Sequence, residues 1–323
     1  IFFMVAIFIA FGKQVKDVYI DDPRVDGIFA EGMTGPIASL LWRAIGFHFI
    51  VYMLLGVAYV LGSSLLPAFK LNLSSLTHSI VSVIVGLSLL VLILFAMGAI
   101  GLLTAIPVLA VMLIILGLGW EKSFHFLKIT LWKRSKDFTA TPFQLLTVMV
   151  LFIFIAMNLT ASIRPFPIGF DAMNLYVNTP KLLGEYGALT QGGQAYNWSL
   201  LMSLGFVLFD SVPLTLLLSI VPGILACFVL FKIARNFLNT GWSLVVISIY
   251  YTTPMVTWQS NYEAKVDLGL LFVLLGTVVL FLEDNSKGNP ANAPASGFPF
   301  FKNLFSKPLF STSETVNKWI VIG

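Results

Sequence analysis

Residues 169–189, GFDAMNLYVNTPKLLGEYGAL, place a carboxylate (Asp171), two amides (Asn174 and Asn178), a phenol (Tyr176) and a cation (Lys181), with Glu185 following, directly after an apolar run that carries no charge. Far downstream, the stretch 259–267 ends on a second cluster, Glu263, Lys265 and Asp267. Carboxylates on two separate segments, with cations beside them, suit a reaction on a phosphorylated headgroup. An acid such as Asp171 would take the proton from an incoming hydroxyl. A cation, or a metal ion held by the second acidic set, would stabilise a departing phosphate. Lys181, Lys265 and Arg164 are the candidate cations; Tyr176, Asn178, Asn197 and Glu263 are candidate contacts to substrate. Residue types alone leave a plainer alternative open, in which these are solvated loop residues and Tyr176 is an interfacial anchor.

The elements that must position them are membrane helices. Of the 323 residues, 58% are hydrophobic and 11% charged, where a soluble domain carries about a quarter charged residues. Runs such as 79–119 and 143–163 contain no Asp, Glu, Lys or Arg over lengths that reach or exceed the roughly 20 residues a helix needs to cross hydrocarbon. Helices must span them, because a helix satisfies its own backbone polar groups. The pattern predicts an all-α, polytopic bundle with spans at 44–62, 79–98, 100–119, 143–163, 213–232, 240–258 and 266–283. The run 79–119 is too long for one crossing and is expected to fold back at Gly98-Ala99-Ile100-Gly101. The apolar piece 198–209 is too short to cross and reads as a helix lying at the interface. Residues 1–12 and 314–323 read as partial spans, which makes the chain look like a fragment; residues 1–12 lack the charged start and small-residue cleavage site of a signal peptide.

Orientation follows from the basic residues. Lys122, Lys128, Lys133, Arg134 and Lys136 mark 120–142 as cytoplasmic. Span 143–163 then delivers 164–196 to the outer face, and by the same count 259–267 arrives there too. The chain divides into N-terminal transmembrane helices (1–142), a core (143–283) with outer loops 164–212 and 259–266, a flexible Pro/Gly/Asn-rich cytoplasmic connector (284–313) and the start of a further span (314–323). The net charge of +4 gathers in loops and implies no nucleic-acid partner. Cys227 stands alone in an apolar run and reads as a packed hydrophobe. His48 reads as a polar packing residue near the interface; His78 and His125 lie near span ends on the cytoplasmic side with no metal spacing between them. Trp198, Trp242 and Trp258 sit near expected interfaces, where anchoring is the ordinary role. Asn72, Asn158 and Asn197 each open an N-x-S/T triplet. Only Asn197 faces outward, and there substrate contact or helix capping is the better reading.

Residues 165–210, with their span end, Asp171, the Pro180-Lys181-Leu182 element, a small-residue turn and a short apolar helix, resemble the first outer loop of GT-C membrane glycosyltransferases. The likeness is to the bacterial branch related to protein mannosyltransferases and aminoarabinose transferases. Residues 254–283, with Lys265-Val266-Asp267-Leu268 opening a span, resemble that branch's second outer loop. The resemblance implies transfer of a sugar from a polyprenyl-phosphate donor to a glycan, lipid or protein acceptor, by inversion, at the outer face of a bacterial inner membrane among membrane lipids. It implies that Asp171 is the catalytic base, that Lys181 contacts the donor phosphate, and that Asp267 helps form the site and holds a divalent metal if one is used. The chain departs from the pattern in Asn178, where many relatives have His, and Ala172, where the mannosyltransferase group has Glu. A transporter or flippase for a lipid-linked substrate, and a noncatalytic subunit of the same fold, are the competing readings.

Overall fold

The structure, a computed structural model, describes residues 34–69, 71, 73–132, 141–164, 167, 169–190, 197–258 and 263–287. The expected partial spans at 1–12 and 314–323, and most of the connector 284–313, lie outside the described residues. Helix α1 (Thr34–Leu65) continues into a 3-10 turn (Leu66–Phe69), and α2 covers Ser75–Ala99. Then come α3 (Ala105–Leu118), α4 (Trp120–Trp132) and α5 (Pro142–Ala161). A π-helical turn (Ala172–Tyr176) leads into α6 (Asn178–Tyr186), followed by α7 (Asn197–Phe209), α8 (Val212–Ala234), α9 (Thr240–Thr252), α10 (Pro254–Trp258) and α11 (Asp267–Lys287). Among the described residues all regular structure is helical.

Four helical stretches, Ile45–Phe69, Ser75–Ala99, Pro142–Ala161 and Val212–Ala234, are long and apolar enough to cross a membrane; α3 with α4 would make a fifth if taken as one bent span. Local chemistry fixes several boundaries. Thr141 and Gln144 form a reciprocal capping box ahead of Pro142, which supplies partners to backbone N–H groups that an α-helix start leaves orphaned. Ser211 and Asn239 cap α8 and α9, their side chains accepting from the Leu214 and Trp242 backbone N–H groups. Helix α2 ends at Ala99 and the chain reverses through Gly101, whose φ is +73°, as the Gly-rich stretch predicts.

Helices α1 and α2 pack so closely that a Cβ on Gly62 would strike the backbone of Ser82, and one on Gly86 the backbone of Ala58. Helices α5 and α9 run parallel. Phe143 meets Trp242 edge to face at 6.3 Å, Ser248 Oγ donates to the Thr147 carbonyl at 3.5 Å, and the buried Asn158 donates to Tyr251 Oη at 3.1 Å. That direction is the one two spans crossing the same way require. Much of α5 is lipid-like surface: Phe143, Leu145, Leu146, Met149 and Phe152 are all exposed. Contiguous apolar area of this kind on a folded protein needs a non-aqueous neighbour, and with the long apolar helices it gives the chain the character of a membrane protein.

Three expectations change. The span expected at 100–119 is a 14-residue helix, about 21 Å long, and the chain then turns by 82° into α4, because Gly119 ends α3 and lets Trp120 start a new direction. The span 240–258 is broken at Thr253 and Pro254, where the proline lacks the N–H that would continue the helix. The piece 198–209 is not an interfacial helix. Trp198, Leu200, Leu201, Met202, Leu204, Phe206 and Val207 are buried, and α7 packs against α2, α3, α6 and α8. A helix apolar on every side has no face to give to water, so it goes to the centre. Trp198 accordingly donates through Nε1 to the Leu218 carbonyl at 3.0 Å instead of anchoring a surface.

Gly86→Val is expected to force α1 and α2 apart and cost about 1–3 kcal/mol, the range for inserting atoms into a packed interior. A clear fall in the thermal midpoint of the detergent-solubilised protein checks this; an unchanged midpoint would mean the two helices are not held so near.

Candidate functional site

Helix α5 runs out at Ala161, and Ser162 and Arg164 are buried just beyond it. The chain re-enters helical geometry at Phe170 and Asp171, then widens into the π-helical turn, which is secured by the fully buried Ala172 and Val177. Such one-turn π segments concentrate at functional sites. Ala172 is the position where the resemblance calls for Glu. With no exposure at all, it could hold a carboxylate only at a large desolvation cost.

The second segment meets Asp171 from across the chain. The backbone N–H of Asp171 donates to Glu263 Oε2 at 3.2 Å, and Lys265 Nζ pairs with Asp171 Oδ2 at 3.2 Å. Between those two partners stands Ala264, fully buried and with φ +51°. A non-glycine residue in the left-handed region costs free energy that the surroundings must offset; here its methyl is packed into the core while its neighbours close around Asp171. The Lys265 ammonium is held charged above the ordinary 10.5, first by its hydrogen bond to Asp171, then by the fields of Asp171, Tyr176 and Glu263, with burial opposing. Side-chain exposures of 28% for Lys265 and 41% for Asp171 leave the pair within reach of a substrate. They also keep its contribution to stability small.

The structure therefore brings together Asp171, Glu263 and Lys265. Asp267 is not among the residues bonded to Asp171. Asp267 opens α11 with an exposed side chain and, among the described residues, makes no ion pair. The acid that crosses to Asp171 is Glu263, four residues earlier, because the turn at Ala264 faces Glu263 toward the first loop while Asp267 is committed to the helix start. No group of three or more His, Cys, Asp or Glu side chains among the described residues is placed to hold a metal ion. Arg164 is only 2% exposed, and its Nη1 reaches the Ala161 carbonyl at 3.5 Å; it is a packed residue rather than a surface anchor. Asn197 begins α7, and its side chain lies outside the described residues, as do residues 259–262 and the side chain of Trp258.

Asn178 and Lys181 fall on a different wall. They line an open groove of about 270 Å³ with Pro167, Met173, Val177, Phe206 and Val212, and Lys181 pairs along α6 with Glu185 at 3.5 Å. Helix α6 ends on Gly187, which takes φ +61°, a left-handed cap that glycine adopts without a Cβ clash. Its carbonyl accepts from Leu103 N–H at 2.9 Å, and Leu189 N–H donates to the Gly98 carbonyl at 3.0 Å. The α2–α3 turn is thus tied to the loop that carries Asp171. Gly223 packs against Leu268, which ties the start of α11 to α8.

Sequence reasoning missed Ala264. Alanine carries no signal for a left-handed turn, so nothing in the residue pattern could have found it. Set against family models, curated proteins and solved structures, the chain finds no match; the site rests on its own geometry.

Two outcomes follow from that geometry. Since Asp171 raises the Lys265 value, the pairing is fully present below the ordinary lysine range and is lost as pH rises through the raised value; in Asp171→Asn the Lys265 ammonium should titrate lower, which NMR of the side-chain nitrogen would read. Ala264→Val should cost about 1–3 kcal/mol, since a β-branched side chain tolerates the left-handed region worse than alanine, whereas Ala264→Gly should be far milder; equal loss of stability in both would place the cost in lost packing instead.

Proposed function

We propose that the protein is a GT-C-type membrane glycosyltransferase that moves a sugar from a polyprenyl-phosphate donor to a hydroxyl-bearing acceptor at the membrane surface where the two loops meet. What supports the reading above all is the double link at Asp171: its backbone bonded to Glu263 and its carboxylate paired with Lys265, two loops distant in sequence closing on one partly exposed acid. The order of the segments along the chain and their resemblance to the two outer loops of that class point the same way.

In this mechanism the acceptor hydroxyl approaches the anomeric carbon of the donor. Asp171 takes its proton as the new bond from acceptor oxygen to anomeric carbon forms. The bond between that carbon and the donor phosphate oxygen breaks, and the electron pair leaves with the lipid phosphate. Lys265 carries three N–H donors, so it can remain against Asp171 and also meet the departing phosphate, whose growing charge it stabilises. Glu263 keeps the Asp171 backbone in place. The sugar's configuration inverts in this single displacement, and the proton on Asp171 returns to solvent. The donor's tail stays in hydrocarbon, so base and cation must stand where the chain leaves it, as residues just beyond the end of α5 do.

Asp171→Asn, in the full-length protein in membrane vesicles supplied with a labelled polyprenyl-phosphate sugar, should lower turnover by about 10²–10⁴-fold, the range for removing a general base, with insertion and expression intact. Lys265→Gln should lower it by about 10²–10³-fold, the range for losing one transition-state donor. Full transfer by Asp171→Asn would remove the acid from the mechanism. Movement of a lipid-linked substrate across the bilayer without transfer would favour the flippase instead.

A further inference from the structure

At the other end of α2 from Gly98, α4 gathers a second cluster that the transfer reaction does not use. This helix has three faces. Phe126 turns toward α1, stacking near Tyr52 at 5.2 Å and Tyr59 at 5.3 Å. Trp120, Phe124 and Leu127, spaced as one helical stripe, are exposed at 62%, 63% and 37%. Lys122, His125 and Lys128 follow one another at i, i+3 steps along the third side. Lys122 Nζ donates to Ser64 Oγ at 2.7 Å and to the Ser63 carbonyl at 3.4 Å, both at the end of α1. His125 lies 6.4 Å, ring centre to ring centre, from Tyr59. His78, in the first turns of α2, lies 3.5 Å through Nδ1 from Ser82 Oγ.

Lys122 and His125 thus stand against α1 near its end. Glu121, four residues before His125 on the same side of α4, is exposed and makes no ion pair among the described residues. With the 82° turn from α3, the helix has the composition of one lying in the headgroup plane: an aromatic and aliphatic stripe for the acyl boundary and a cationic stripe beside it. We propose that this junction binds the phosphodiester of an anionic lipid headgroup, with Lys122, His125 and Lys128 meeting the phosphate, and Trp120 and Phe124 meeting the first segment of the acyl chains. Lys122 retains a third N–H for this after its two bonds to α1. The site is independent of the sugar-transfer reading.

The test is native mass spectrometry of lipid retained by the full-length protein released from nanodiscs of phosphatidylcholine with phosphatidylglycerol. Wild type should hold phosphatidylglycerol in preference to phosphatidylcholine. Lys122→Gln, which keeps an amide to bond Ser64, and Lys128→Gln should each reduce that preference about fivefold, the effect of one basic residue near an anionic surface. Lys122→Arg should retain it, which separates loss of charge from loss of fold. Equal retention by wild type and the Lys122→Gln/Lys128→Gln double variant would overturn the proposal, and so would full displacement of phosphatidylglycerol by free inorganic phosphate, since the site would then hold a simple anion rather than a lipid.

Discussion

A peptide group in hydrocarbon has no water to bond, and that constraint orders most of this molecule. It makes every long apolar run a helix, and it sends the places where helices stop to where other partners exist. The capping box at Thr141 and Gln144, the serine cap of α8 and the left-handed Gly187 are each such a stop, with a partner supplied by side chain or neighbouring backbone. Two buried polar side chains follow the same rule: Asn158 bonds Tyr251, and the Trp198 indole finds the Leu218 carbonyl. Where no partner is needed, as along the outer side of α5, apolar side chains face outward.

The same constraint explains why charged side chains collect where helices end. Ionised groups are costly among lipid tails, so acids and amines are kept to the loops and helix ends. Glu263 and Lys265 reach Asp171 because a left-handed turn at Ala264 and the packing of Leu268 on Gly223 fix the second loop's approach. The cost of that turn is supported by a methyl with no exposure. A site so held is preorganised: the cation already stands beside the acid.

How much was legible depends on what each residue needed. The break at Gly98–Gly101 and the charge-free crossing that ends near Arg164 could be read, because hydropathy and glycine act locally. The fate of α7 could not. A 12-residue apolar stretch suits an interface or a core equally by composition, and only the faces offered by α2, α3, α6 and α8 decide between them. Asp267 and Glu263 pose the same problem on a smaller scale: two acids in one short stretch, identical in chemistry, of which backbone geometry turns one toward Asp171. The basic residues of α4 were visible as a basic segment, yet the bonds of Lys122 to Ser63 and Ser64, distant in sequence, were not.

The amino-acid sequence by itself determined that the chain is built of apolar helices, where most of them begin and end, and which polar residues could do chemistry, since these follow from the cost of placing charge or unpaired backbone in lipid and act over a few residues. Tertiary structure alone decided that α7 is core, that α3 gives way to α4 at a right-angled turn, and that Asp171 is met by Glu263 and Lys265. Those outcomes depend on side chains far apart in the chain competing for the same space, and no local preference encodes the result of that competition.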